Sequence, residues 1–173
     1  MKTIILPGYS LHNKDWAYEV RNKLNLNQKV IVHEWKHWTS GSFSVAHELR
    51  KIAEEIRGNE KINIIAKSVG TRVAMEWIIR NPKFVNKLVL CGIPVSWQPK
   101  DVGSVSEIFQ KGLSFLKARQ ILIFQNEKDP FSTFEKIKEM VGRINRKIKV
   151  IEKPRNDHHY PYFDEFQKFL GKV

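Results

Sequence analysis

Ile64-Ile65-Ala66-Lys67-Ser68-Val69-Gly70-Thr71 joins an apolar, β-branched run to a serine set among small residues, and a helical pattern begins directly after it. A strand entering a helix through such a residue is the layout of a nucleophile elbow, a sharp turn that exposes the serine oxygen above a sheet edge. The turn needs small neighbours two residues to either side, because the backbone folds back against the preceding strand. Gly70 supplies one; Ala66 supplies the other, where glycine is usual. A serine–glycine helix start after any buried strand would read the same way, so the rest of the chain must decide.

Working outward, short apolar runs alternate with longer amphipathic ones from end to end. Strands are expected at Thr3–Leu6, Lys29–Glu34, Lys61–Ala66, Lys87–Cys91, Ile121–Gln125 and Ile148–Glu152. Helices are expected at Asp15–Leu24, Val45–Arg57, Val69–Arg80, Val105–Leu116, Phe134–Ile144 and Tyr162–Leu170. This alternation implies βαβ units and a mostly parallel sheet with helices on both faces. Ile62–Ala66, Leu88–Cys91 and Ile121–Phe124 are nearly continuous Ile, Leu and Val, as strands covered on both sides must be. With 173 residues and no linker-like stretch, the expectation is a single α/β domain, a doubly wound six-stranded sheet spanning residues 1–173.

Composition narrows the function classes. No apolar run approaches the ~20 residues of a membrane helix, and Met1–Gly8 reads as a first strand and turn rather than a signal peptide. A single cysteine, Cys91, excludes an internal disulfide framework and fits a cytoplasmic setting. The six histidines show no zinc-type spacing with cysteine, so no metal is expected. The net charge of +12 raises the question of nucleic acid. Lysines and arginines are spread along every element and interleaved with acids, as in Glu135-Lys136-Ile137-Lys138-Glu139, so specific nucleic-acid binding is not expected.

Open α/β sheets bind ligands at the carboxyl ends of their strands. Pro7-Gly8-Tyr9 follows the first expected strand and Ser68 the third. Asp129, in Asn126-Glu127-Lys128-Asp129-Pro130, follows the fifth, and His158-His159, in Pro154–Pro161, follow the sixth. Serine, acid and histidine thus stand in that order at three strand ends.

On these residues the sequence resembles the α/β-hydrolase family, in its small, lid-poor serine-hydrolase branch. Leu6-Pro7-Gly8-Tyr9 is similar to the oxyanion-loop turn, Ala66–Gly70 to the Gly-x-Ser-x-Gly elbow, Asn126–Pro130 to the acid turn and Asp157-His158 to the histidine loop. Pro7, where histidine is common, and Ala66 depart from the pattern without removing a reacting group. The resemblance implies Ser68 as nucleophile, His158 as general base and Asp129 as the acid that orients it, with backbone N–H groups of Tyr9 and Val69 as the oxyanion hole. His159 remains an alternative base, although the Asn156-Asp157 stretch favours His158. Asp157 reads as a turn or cap residue. Lys67 invites comparison with a Ser–Lys dyad, but adjacent residues on a turn point in different directions, so a rim or surface ammonium is expected. His33, Trp35, His37 and Trp38 read as an edge strand and loop packed on the sheet, and Cys91 as a small buried hydrophobe.

The short segment Gly92–Lys100 lies where larger family members insert a lid. Ile93, Val95 and Trp97 could wall a small hydrophobic pocket opposite Tyr9 and Phe131, or could simply cap the core; Tyr9, Trp97 and Phe131 are the substrate-binding candidates. The expected function is a cofactor-independent serine hydrolase, a carboxylesterase acting on small acyl esters through an acyl-enzyme. A binding protein on the same fold with little catalysis is the alternative.

Overall fold

The three near-continuous Ile/Leu/Val runs become adjacent inner strands of one sheet. The computed structural model describes residues 1–58, 60–95 and 104–171. Its strands β1 (Lys2–Leu6), β2 (Lys29–Val32), β3 (Ile62–Lys67), β4 (Val85–Cys91), β5 (Ile121–Asn126) and β6 (Lys149–Lys153) run in the order β2-β1-β3-β4-β5-β6. Every neighbouring pair is parallel. Side chains alternate between the faces. Ile4, Leu6, Ile64, Ala66, Leu88 and Leu90 pack against α2 (Val45–Glu55), α3 (Val69–Arg80), α4 (Val105–Ser114) and α5 (Phe134–Ile144). Ile5, Ile65, Val89 and Phe124 face the other way, onto Trp16 and Val20 of α1 (Asn13–Lys23) and Phe166 and Leu170 of α6 (Phe163–Leu170).

The expected elements are all present, with α3 and α5 at their expected bounds. Two departures have local causes. β2 is an edge strand that ends at Val32; the His33 N–H makes a last bond to the Ile5 carbonyl at 3.0 Å while its side chain is engaged by two carboxylates. α1 begins at Asn13 because the Asn13 Nδ2 donates to the Ser10 hydroxyl and carbonyl, at 2.8 and 3.1 Å, and closes the preceding turn.

The order of strands fixes the place of the site. The chain goes from β1 outward to β2, then returns past β1 to start β3 and builds in the opposite direction. Loops leaving β1 and β3 therefore diverge to opposite faces and open a crevice between their carboxyl ends, the usual ligand position of such sheets. Among the described residues no helix is long and apolar enough to cross a membrane.

Candidate active site

Ser68 stands in that crevice. Its backbone has φ 53° and ψ −125°, and among the described residues it alone, glycines apart, has positive φ. Such a conformation costs on the order of 1–3 kcal/mol and persists only when the surroundings enforce it. Here they do so from both sides: the Ser68 N–H donates to the Cys91 carbonyl at 3.0 Å, and the Ser68 carbonyl accepts from the N–H and hydroxyl of Thr71 at 2.9 and 2.6 Å. Gly70 shows why the turn is so demanding. A Cβ there would lie 2.2 Å from the carbonyl oxygen of Leu6, so α3 can begin this close to β1 only with glycine. Ala66, on the strand side, tucks its methyl into the core with no exposure, which is why alanine serves where glycine is usual.

Asp129 lies in the turn after β5, its carboxylate buried. Oδ2 accepts hydrogen bonds from His158 Nδ1 and from the Tyr160 hydroxyl, both at 2.6 Å, and Oδ1 accepts from the Phe131 N–H at 2.9 Å. Burial works to raise the carboxyl's pKa, but the bonds from His158, Tyr160 and Phe131 hold it below its ordinary value. Burial and the neighbouring carboxylate push the Tyr160 phenol far upward, so it stays a hydrogen-bond donor. With Nδ1–H committed to a carboxylate, His158 presents Nε2 as an acceptor. That nitrogen is buried and has no hydrogen-bond partner among the described residues. Ser68 and His158 line the same cavity, of about 580 Å³, together with Tyr9, Val69 and Phe131.

His159 does not reach Asp129. Its backbone is held instead, the N–H by Asp157 at 3.1 Å and the carbonyl by Asn126 at 2.9 Å. Asp157 also takes a two-pronged ion pair from Arg155, which lowers its pKa to about 2, so it serves the turn.

The loop after β1 is pinned by indoles. Trp35 Nε1 donates to the Gly8 carbonyl at 3.0 Å, and Trp38 Nε1 to the Tyr9 carbonyl at 2.8 Å. His37 Nε2 lies 2.7 Å from that second carbonyl, and its ring stacks on Tyr9 with centroids 4.3 Å apart. In a trans peptide the N–H points opposite to the carbonyl. Anchoring Gly8 O on Trp35 therefore aims the Tyr9 N–H the other way, and it donates to no other described residue. Val69 opens α3, so its N–H belongs to the helix-end amides without an intrahelical acceptor.

Two expectations need correcting. Lys67 is not a rim ammonium; it is 4% exposed, because as the last residue of β3 it alternates onto the inner face beside Ile65, under α1. Ile93 is fully buried in the core and Val95 packs against it, so of this segment it is Pro94 that lines the cavity. Trp97 lies outside the described residues. Tyr9 and Phe131 do flank the cavity, both nearly half exposed, and the Phe131 ring meets His158 edge-on at 4.6 Å.

A family model described as serine hydrolase matches residues 3–158. The chain belongs to the serine hydrolase family. A comparison with curated protein sequences gives no match. Among solved structures, the chain is similar to an α/β serine hydrolase without a lid from Xanthomonas campestris, at 17% identity and TM-score 0.68, covering 98% of this chain and 78% of that one. It is likewise similar to mouse α/β-hydrolase domain-containing protein 10, at 13% identity and TM-score 0.68 over 98% and 88% of the two chains. A predicted hydrolase from Thermoplasma acidophilum gives 17% identity and TM-score 0.64 over 98% and 83%. At these identities the likeness speaks for the α/β-hydrolase fold, and the family match for membership.

In this serine hydrolase, sequence reading missed Tyr160 as a partner of Asp129, and Trp35, His37 and Trp38 as anchors of the Gly8–Tyr9 turn. Tyr160 stands two residues beyond His158, but nothing in the spacing tells which way its hydroxyl turns. The indole contacts join residues about thirty apart in sequence and carry no local signal.

Proposed function

We propose that this serine hydrolase cleaves small carboxylic esters with Ser68 as nucleophile, His158 as general base and Asp129 as the group that orients and charge-stabilises the imidazole. The observation that carries the reading is His158 itself: Nδ1 is fixed by a buried carboxylate, while Nε2 has no partner among the described residues and the ring shares a cavity with Ser68. In attack, Nε2 takes the Ser68 hydroxyl proton as Oγ bonds to the ester carbonyl carbon. The developing oxyanion is met by the N–H groups of Tyr9 and Val69, the latter at the favourable end of the α3 dipole. Imidazolium returns the proton to the leaving alcohol, and the C–O bond breaks. Water, deprotonated by the same nitrogen, then releases the acid from the acyl-enzyme.

The cavity volume of about 580 Å³ suits a small substrate. Its exposed rings at Tyr9 and Phe131 would shelter a short acyl chain. The test is covalent labelling by a fluorophosphonate probe together with turnover of p-nitrophenyl acetate and butyrate. Both are expected in the wild type and absent in Ser68→Ala. Lack of Ser68-dependent labelling in well-folded protein would reject the enzyme reading and favour a binding role.

A further inference from the structure

The residue before the nucleophile is the least expected one in the cleft. β3 is buried throughout, and its last inward position on the α1 side is given to a lysine. Lysines are almost never fully buried without a charged partner. Lys67 Nζ donates to Asn13 Oδ1 at 2.6 Å and lies 5.4 Å from the centre of the Trp16 ring. Neither group carries a negative charge.

The acids near it are engaged elsewhere. Asp129 is saturated by His158, Tyr160 and the Phe131 N–H, and Asp157 by Arg155 and the His159 N–H. An ammonium has three protons, and one is used on Asn13. Lys67 also lines the cavity that holds Ser68, as do His12 and His159. Burial lowers its pKa to about 8, which still leaves it mostly protonated at neutral pH. The cleft therefore holds a desolvated cation beside the nucleophile that forms no ion pair among the described residues; Asp129 and Asp157 act on it only through space.

We propose that Lys67 is the receptor for an anionic group on the substrate, so that the preferred substrates are esters bearing a carboxylate. The proposal rests on the hydrolase reading above and narrows its substrate class. A carboxylate entering this cavity beside Lys67 would replace lost hydration with a charge-assisted hydrogen bond in a partly water-excluded site. A neutral ester would leave the buried ammonium without an anion in contact.

The experiment pairs charged and neutral esters of matched length. On the acyl side, p-nitrophenyl hemiglutarate is compared with p-nitrophenyl valerate; on the alcohol side, the butyryl ester of γ-hydroxybutyrate is compared with pentyl butyrate. In one of the two pairs the anionic ester should have a kcat/KM at least about tenfold higher, the scale of one hydrogen bond to a charged group. That ratio should collapse in Lys67→Gln and fall in Asn13→Asp, where an internal carboxylate competes for the ammonium. It should also shrink at high salt.

A second measurement does not depend on turnover. Glutarate titrated into Ser68→Ala should bind, and at least about tenfold more weakly when Lys67→Gln is added. If esters are cleaved with no charge preference and glutarate does not bind, the inference is overturned while the hydrolase stands. If no ester is cleaved but glutarate binds through Lys67, the hydrolase reading fails and the anion site stands.

Discussion

Two histidines in this molecule, His33 buried and His158 partly buried, each sit against a carboxylate, and they differ in one nitrogen. His33, at the end of β2, has both ring nitrogens engaged, Nε2 with Glu48 at 3.0 Å and Nδ1 with Glu55 at 2.8 Å. Burial alone would lower its pKa, but the two acids outweigh this and raise it, so the clamp favours the protonated ring. Glu48 also accepts the Lys36 N–H at 3.3 Å, which ties the clamp to the 3-10 turn of Lys36–Trp38. His158 has one acid and one nitrogen left over. A histidine with both nitrogens on carboxylates is a structural tie, whereas one with a carboxylate behind and an open nitrogen in front is equipped to move a proton.

Exchanging the two roles should therefore fail in opposite ways. His158→Ala should lower kcat/KM on p-nitrophenyl butyrate by on the order of 10⁴–10⁶-fold, the scale for losing a triad base, with little change in urea midpoint. Turnover close to wild type would remove His158 from the mechanism and put the comparison in doubt.

His33→Gln should show the reverse. It leaves the buried Glu48 carboxylate without its cation, which destabilises by about 3–5 kcal/mol in comparable buried pairs. Urea denaturation reads that loss, and kcat of the folded protein should change far less than in His158→Ala.

Smaller still is Tyr160→Phe, which removes one of the two donors on Asp129 Oδ2 but leaves His158 in place. A hydrogen bond to a charged group contributes about 1.5–3 kcal/mol. The substitution should raise the acidic limb of the pH–rate profile as the Asp129 carboxyl becomes easier to protonate. An unmoved limb would confine Tyr160 to packing.

The gentlest test is the pH dependence of the clamp. A histidine whose folded pKa is raised adds stability that is complete below its unfolded value near 6.5 and is lost as pH climbs through the folded value. The stability difference between wild type and His33→Gln should therefore shrink above pH 6.5, by at most about 1.4 kcal/mol per pH unit. Glu48, held below its ordinary value against the pull of burial, sets the opposite edge, with its contribution lost in acid. A difference that stays flat above pH 6.5 would mean the ring is neutral in the fold.

The sequence carried the architecture because its signals are local. Periodicity and the continuous apolar runs placed every strand and helix, and small residues flanking Ser68 marked the strained turn that the backbone adopts at φ 53°. The order serine, acid, histidine at strand ends was legible for the same reason, since each residue sits just past a recognisable strand. Which of two adjacent histidines meets Asp129 was legible only as a preference for His158 from the Asn156-Asp157 stretch, because neighbouring side chains differ only in direction, and direction is set by the packing of the Pro154–Pro161 loop on β5. Lys67 teaches the same point more sharply. Its identity and its place next to Ser68 are plain in the sequence, yet its burial follows from strand alternation and from α1 lying across that face, with Asn13 and Trp16 brought in from more than fifty residues away. Local chemistry determined what the turn at Ser68 is; contacts between distant segments decided what surrounds it.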